Sequence, residues 1–98
     1  MELKKELTGS KLTVKLIGRL DTTTAPQLES SLKESFEGLT ELVLDFEALD
    51  YISSAGLRVL LAAQKTMNAC GKMRIINVCP EIMDVFEITG FSDILTIE

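Results

Sequence analysis

The chain centres on the stretch Tyr51-Ile52-Ser53-Ser54-Ala55-Gly56-Leu57-Arg58, which separates two segments of different character. The preceding segment, Leu42 to Phe46, is a short apolar run of the kind that forms a buried strand. The following segment, Leu57 to Met67, is rich in good helix formers and contains no proline. The pattern therefore predicts a strand, a loop and a helix, with Ser53 and Ser54 where the loop becomes the helix.

A serine at a helix start admits two interpretations. Its side-chain oxygen accepts a hydrogen bond from an unpaired N–H of the first turn, so either serine can be a plain N-cap. The same helix end carries free N–H groups and the positive pole of the helix dipole, which suit a phosphate. From these residues alone, the plain cap is the commoner case.

The composition is that of an ordinary globular protein. The 98 residues are 46% apolar and 26% charged, which predicts one domain, residues 1–98, with a single core. Fifteen acidic against ten basic side chains give a net charge of −5, so nucleic acid is not an expected partner. No apolar run approaches the roughly 18 residues of a membrane span, and Met1 to Glu6 lacks a signal peptide's apolar region. We therefore expect no membrane partner and a cytoplasmic location.

The side chains that most often carry catalysis are scarce. The chain contains no histidine, the commonest general base and metal ligand. Cys70 and Cys79 form no Cys-x-x-Cys pair, which favours two buried, reduced thiols over a disulfide or metal site. We expect no catalytic residue, no metal and no cofactor of the chain's own. A small-ligand or enzymatic role built on Asp21, Asp50 and the serines stays open, although these groups lack a base.

The remaining sequence predicts strands that alternate with helices. The first half predicts an edge strand at 3–7, its hairpin partner from Leu12 ending at Gly18, and a helix capped by Thr23 or Thr24, with Pro26 in its first turn and Gly38 as C-cap. The second half predicts a strand at 42–46, a helix at 54–70 ended by Gly71, and a strand supplied by Met73, Ile75, Ile76 and Val78, with Asn77 and Pro80 marking the exit loop. A helix at 81–89 closed by Gly90 and a last strand at 94–97 follow. The strand at 42–46 is apolar on both faces and hence central. This order predicts an α/β domain: a small mixed sheet, with at least one parallel pair, packed by helices.

Four motifs carry a wider resemblance. They are Gly18-Arg19-Leu20-Asp21 followed by Thr24-Ala25, the strand Leu42 to Phe46, Asp50-Tyr51-Ile52-Ser53-Ser54-Ala55-Gly56-Leu57, and Asn77-Val78-Cys79-Pro80 leading to Val85-Phe86-Glu87-Ile88-Thr89-Gly90-Phe91. In this order they resemble the anti-sigma factor antagonists, small bacterial proteins built from a STAS domain. The resemblance spans nearly the whole chain, and the combination is far more specific than any one motif.

The resemblance implies a phosphorylated serine, which a serine kinase modifies two residues before the glycine. That residue is Ser54, with Ser53 as a rival acceptor and, in the family register, the better-placed helix cap. Asp21 corresponds to an aspartate that lies beside the phosphorylated serine, although a turn or capping role also fits it. The residues expected to border a protein partner are Asp21, Thr22, Thr23, Ser53, Gly56, Leu57 and Arg58. For Gly56, tight packing of the helix on the sheet is an equal alternative, and Leu57 also fits the core.

Two positions depart from the family pattern. Many relatives carry an aspartate where this chain has Ser53, and a second hydroxyl where it has Ala55. The departures remove one carboxylate and one hydroxyl next to the acceptor. They leave the apolar and glycine skeleton intact, so the implied fold is unchanged.

The implied function is a phosphorylation-controlled switch. The unmodified chain would bind an anti-sigma factor that is itself a serine kinase, freeing a sigma factor for transcription. Phosphorylation of Ser54 would weaken that complex, and a metal-dependent serine/threonine phosphatase would reset it. The kinase would supply ATP and magnesium, because this chain has no Gly-rich phosphate loop. The alternative is a non-phosphorylated STAS adaptor subunit of a larger assembly or of a transporter.

Overall fold

The computed structural model describes all residues, 1–98, as a four-stranded sheet with three α-helices. The strands are β1 (Glu2–Thr8), β2 (Lys11–Leu20), β3 (Glu41–Ile52) and β4 (Lys72–Ile76). The helices are α1 (Ala25–Ser35), α2 (Ser54–Cys70) and α3 (Pro80–Thr89), and a short 3₁₀ turn follows at Phe91–Asp93. None of the helices combines the length and the apolar character needed to cross a membrane.

The sheet is mixed, and its strands lie in the order β1-β2-β3-β4. β1 and β2 form an antiparallel hairpin. The pairs β2–β3 and β3–β4 are parallel, with α1 and α2 in the two crossovers. The predicted mixed sheet, its central strand and the helix at 54–70 are therefore confirmed.

One face of the sheet carries the core. Val14, Leu44 and Ile75 stand in register on β2, β3 and β4, and each is fully buried. The helices add Leu28, Leu32, Leu60, Met67, Ile82 and Phe86 to the same cluster. The ring of Phe86 on α3 lies 6.3 Å from the ring of Phe46 on β3, centre to centre. The apolar periodicity of strands and helices thus meets in a single core.

Two strands run further than the sequence predicts. β2 continues past Gly18 to Leu20, and β3 continues to Ile52, so Ser53 follows a strand directly rather than a loop. Gly18 takes a φ of +110° next to a register shift, a conformation that glycine adopts without strain, and β2 resumes beyond it. The added residues pair with one another, since Leu20 faces Ile52 in the parallel ladder. A pattern read along one segment does not display such pairing.

The predicted last strand at 94–97 is wrong. The 3₁₀ turn at Phe91–Asp93 occupies the residues before it, and the segment then reaches β4 through an isolated bridge between Ile75 and Ile97. Two backbone hydrogen bonds of 2.9 Å flank that bridge, from Ile75 to Thr96 and from Glu98 to Ile75. One bridge is too short a ladder to make a strand.

Two smaller predictions also need correction. α1 ends at Ser35, with Phe36 rather than Gly38 at the C-cap position, because the turn after it has already begun. Cys70 is exposed rather than buried, since it is the last residue of α2 and follows Met67, the last residue of the helix that reaches the core. Cys79 is half-buried, and both thiols are free.

Phe86→Ala tests the packing of α3 on the sheet. Removal of a fully buried ring beside Phe46 leaves a cavity, so we expect the free energy of unfolding to fall by about 3–5 kcal/mol. Ile88→Ala is the matched control on the same helix: Ile88 is 85% exposed, and we expect a change below about 0.5 kcal/mol. Urea denaturation followed by circular dichroism measures both variants. Equal losses would contradict this packing.

Candidate functional site

The candidate site lies where the carboxyl ends of β2 and β3 meet the N-terminus of α2. The parallel ladder pairs Arg19 with Tyr51 and Leu20 with Ile52. The N–H of Ser53 then donates to the carbonyl of Leu20 at 2.9 Å. The loop after β2 therefore lies beside the start of α2. Binding sites of α/β proteins commonly form at the carboxyl ends of parallel strands.

Ser53 is the N-cap of α2, as the family register predicts. Its backbone is extended, with φ −102° and ψ 174°, and its Oγ accepts a hydrogen bond from the N–H of Gly56 at 3.4 Å. Its carbonyl accepts the first intrahelical hydrogen bond, from the N–H of Leu57 at 3.0 Å. The cap role of the serine pair therefore falls to Ser53.

Ser54 is the first residue of α2, and its side chain is exposed. Its hydroxyl makes no hydrogen bond within the protein, whereas the hydroxyl of Ser53 does. Because the helix is capped without it, Ser54 has no evident part in holding the fold. An enzyme or a partner can reach its oxygen from solvent.

Asp21 organises the turn that leads into α1. Its Oδ1 accepts hydrogen bonds from the Thr23 hydroxyl at 2.7 Å, the Thr23 N–H at 3.0 Å and the Thr24 N–H at 3.1 Å. Its carbonyl accepts one from the N–H of Ala25 at 2.8 Å. The Thr24 side chain gives no cap hydrogen bond to α1. Thr24 therefore stands at the N-cap position of α1, one of the two predicted residues, but its side chain does not do the capping. The Asp21 carboxylate caps the turn before the helix instead, which agrees with the turn or capping interpretation of this aspartate.

These hydrogen bonds hold the pKa of the Asp21 carboxyl at about 2, below its ordinary value of 3.8. The hydrogen bond from the Thr23 hydroxyl is the largest cause, the backbone N–H groups of Thr24 and Thr23 add to it, and partial desolvation opposes them. Asp21 is therefore a fixed negative charge at neutral pH, in the loop beside the start of α2.

Arg19 and Tyr51 form a contact that the sequence did not indicate. The Arg19 guanidinium carbon lies 4.2 Å from the centre of the Tyr51 ring, a cation–π geometry. Its Nε also lies 3.7 Å from Oδ2 of Asp21. Both residues belong to the quoted motifs, but only the β2–β3 register makes them neighbours.

The remaining residues expected at a partner surface divide by burial. Thr22, Thr23 and Arg58 are exposed, whereas Gly56 and Leu57 are buried. Gly56 and Leu57 therefore lie under this surface and are not available for contact with a partner. The accessible group, here termed the serine surface, consists of Arg19, Asp21, Thr22, Thr23, Tyr51, Ser54 and Arg58.

Gly56 is required by the close packing of α2 on the sheet. A Cβ at this position would lie 2.7 Å from Cγ of Leu20 and 2.9 Å from Cγ1 of Ile52. Both side chains are buried, and the contacted carbons are inner atoms rather than free ends. The tight-packing interpretation of this glycine thus accounts for it without a partner.

The serine surface is open rather than concave. Three clefts mark the molecule, one of them between α1 and α2, and none includes Asp21, Ser53 or Ser54. No group of three or more cysteine and carboxylate side chains is placed to hold a metal ion. Because small-molecule sites are typically concave, the serine surface suits a macromolecular partner better than a small ligand.

Gly56→Ala sets helix propensity against packing. Alanine favours a helix over glycine by about 1 kcal/mol, but overpacking a core typically costs about 1–3 kcal/mol, so we expect a net loss of stability. Ala62→Gly, at an exposed position of the same helix, measures the propensity term alone and should lose about 1 kcal/mol. Thermal and urea denaturation compare the two. A more stable Gly56→Ala variant would show that the helix has room to move.

Asp21→Asn tests the hydrogen-bonded carboxylate through pH. Because the folded pKa is about 2 and the ordinary value is 3.8, the charge stabilises the fold above pH 3.8, and that contribution is lost as pH falls from 3.8 towards 2. The difference in free energy of unfolding between wild type and Asp21→Asn should therefore be level from about pH 5 to 7. It should shrink as the pH falls from 3.8 towards 2.

Thr23→Val is the companion variant, since it removes the largest cause of the lowered pKa. Urea denaturation at a series of pH values should show a weaker pH dependence for Thr23→Val than for wild type. Identical profiles for the two would contradict the role of the Thr23 hydroxyl.

Known proteins are similar to this chain in sequence and in fold. The STAS domain family matches residues 2–98. BtrV of Bordetella bronchiseptica, provisionally assigned as an anti-sigma factor antagonist, is 37% identical over 99 residues, 99% of this chain and 85% of BtrV. The anti-sigma-B factor antagonist of Staphylococcus aureus is 33% identical over 84 residues, 84% of this chain and 78% of that protein.

Solved structures agree at the level of the fold. The anti-sigma factor antagonist SpoIIAA of Bacillus, unphosphorylated, superposes with a TM-score of 0.79 at 21% identity, covering 99% of this chain and 87% of SpoIIAA. Its phosphorylated form gives 0.78 at 21% identity, covering 99% and 91%. With the family match and the two sequence relatives, this likeness leads to one conclusion: the chain is a STAS domain and belongs to the anti-sigma factor antagonist family.

Proposed function

We propose that this chain is a partner-switching regulator controlled by phosphorylation of Ser54. Unmodified, it binds an anti-sigma factor that is itself a serine kinase, and a sigma factor is released. The kinase transfers the γ-phosphoryl group of ATP to Oγ of Ser54: the bond from the γ-phosphorus to the β,γ-bridging oxygen breaks, ADP leaves, and the hydroxyl proton passes to a base of the kinase. The modified chain dissociates, and a serine/threonine phosphatase returns it to the unmodified form.

The observation that carries the proposal is the exposed, unbonded hydroxyl of Ser54 in the first turn of α2. The neighbouring Ser53 already caps the helix, so modification of Ser54 need not remove a structural hydrogen bond. The free N–H groups and dipole of a helix start also accept an anion. The similar SpoIIAA is known in unphosphorylated and phosphorylated forms, which match this chain with TM-scores of 0.79 and 0.78. That near-equality supports a modification that leaves the fold unchanged.

Electrostatics supplies the reason for dissociation. A phosphate on Ser54 brings a charge of about −1.5 to −2 at pH 7. It would join the fixed charge of Asp21, on a chain whose net charge is already −5. A partner surface that fits a neutral hydroxyl would meet a dianion instead. A loss of about 1.4 kcal/mol in binding free energy lowers the affinity tenfold, so modest repulsion is enough to switch partners.

The paired variants Ser53→Ala and Ser54→Ala separate structure from modification. Ser53→Ala should lose about 1 kcal/mol of stability, because an N-cap is removed, yet still accept phosphate. Ser54→Ala should lose little stability, accept no phosphate and stay bound to the kinase whether or not ATP is present. It therefore also serves to capture the kinase from the chain's own cells.

Each variant is incubated with the captured kinase and ATP, and the modified residue is located by fragmentation mass spectrometry. Labelling of Ser54→Ala at Ser53 would move the acceptor by one residue. A wild-type chain that binds the kinase but takes up no phosphate would favour the adaptor role instead. Urea denaturation measures the free energy of unfolding of both variants.

A further inference from the structure

Arg58 is the free cation of the serine surface. The chain has three arginines. Arg19 is held by Asp21 and Tyr51, and Arg74 pairs with Glu41 at 3.0 Å. Arg58 is exposed and takes part in none of the ion pairs or side-chain hydrogen bonds of the structure. It is thus the arginine whose charge is uncommitted.

The helix that carries Arg58 offers it no acidic partner. α2 runs Ser54-Ala55-Gly56-Leu57-Arg58-Val59-Leu60-Leu61-Ala62-Ala63-Gln64-Lys65-Thr66-Met67-Asn68-Ala69-Cys70 and contains neither Asp nor Glu. Side chains three and four residues apart are the neighbours on a helix surface. For Arg58 these are Ser54, Ala55, Leu61 and Ala62. Of the four, Ser54 alone can gain a negative charge.

The geometry of the helix directs Arg58 towards Ser54. The two residues are an i, i+4 pair on an exposed part of α2. Residues at this spacing have Cβ atoms about 5–6 Å apart, and helical side chains lean towards the N-terminus. The long side chain of Arg58 is therefore able to reach the turn that begins with Ser54. Its planar guanidinium group matches two oxygens of a phosphate.

We propose that Arg58 receives the phosphate of phosphoserine 54 in an ion pair within α2, a regulatory contact that deepens the proposed function and rests on it. Phosphorylation then changes two charges at once. It adds a dianion, and it withdraws from the partner the one arginine that the unmodified surface holds free. The complementary feature of the partner is an acidic group that meets Arg58 before phosphorylation and loses it afterwards.

Other charged groups near the start of α2 bear on the test. Asp21 and Asp50, at the ends of β2 and β3, would raise the second pKa of a phosphoserine at position 54, whereas Arg19 and Arg58 would lower it. Arg19 already has two partners, so we expect Arg58 to be the effective cation. Lys65 lies on the same helix, about 16 Å from Ser54 along the helix axis, too far for direct pairing with a phosphate on Ser54.

The test places phosphoserine at position 54 by genetic encoding, which needs no kinase and so stands even if the natural acceptor is another residue. The second pKa of the phosphate is measured by ³¹P NMR titration in the full chain. Arg58→Gln should raise it by about 0.3 pH unit, the size expected of an exposed i, i+4 ion pair. Lys65→Gln, with the same change in net charge, should raise it by less than about 0.1 unit. Arg58→Lys should restore most of the wild-type value.

Two results would overturn the proposal. One is an equal shift for Arg58→Gln and Lys65→Gln, which would show only a general effect of net charge. The other is a shift produced by Arg19→Gln and not by Arg58→Gln, which would assign the phosphate to Arg19. Circular dichroism confirms that each variant is folded, as the exposure of Arg58 and Lys65 leads us to expect. Failure of kinase labelling at Ser54 would contradict the proposed function without touching this result.

Discussion

The site depends on the parallel pairing of β2 with β3 and on how closely α2 lies over the end of that pair. The ladder closes with the hydrogen bond of 2.9 Å from the N–H of Ser53 to the carbonyl of Leu20. Immediately afterwards the chain turns into α2, so near the sheet that a Cβ on Gly56 would press against Leu20 and Ile52. This packing buries Gly56 and Leu57 and leaves Ser54 in solvent.

The same arrangement gives the two serines different roles: Ser53 caps α2, and Ser54 remains exposed. Both serine and aspartate are good N-caps, because each offers an oxygen to the first turn of a helix. Ser53 stands where many members of the family carry an aspartate, so the cap is kept while a carboxylate beside Ser54 is lost. The remaining carboxylate of the serine surface is that of Asp21, whose charge is set by the hydrogen bonds from Thr23 and Thr24. The negative charge that would add to a phosphate on Ser54 in repelling a partner therefore comes from Asp21, in a loop from another part of the chain.

The charged side chains of α2 are all positive. The helix has no acidic side chain, and Arg58 has no partner, so the unmodified helix presents an unbalanced positive charge on its exposed face. Arg19 differs, since Asp21 and Tyr51 already hold its guanidinium group. A phosphate on Ser54 would therefore have Arg58 as an unpaired arginine, whereas Arg19 already has partners. The switch that we propose uses that difference, and its effect stays local because the core beneath is a separate apolar cluster.

Much of this protein is determined by sequence alone, because its signals are local. The apolar run at 42–46, the helix formers after Leu57 and the glycines at helix ends predicted the elements, and the four motifs predicted the STAS fold and the place of Ser53 and Ser54. The length of β2 and β3, the stacking of Arg19 on Tyr51 and the single bridge at Ile97 were decided by tertiary structure. Each of these depends on which segments become neighbours. Hydrogen bonds and close contacts between distant residues form only when the fold brings them together, so no pattern along a single segment reveals them.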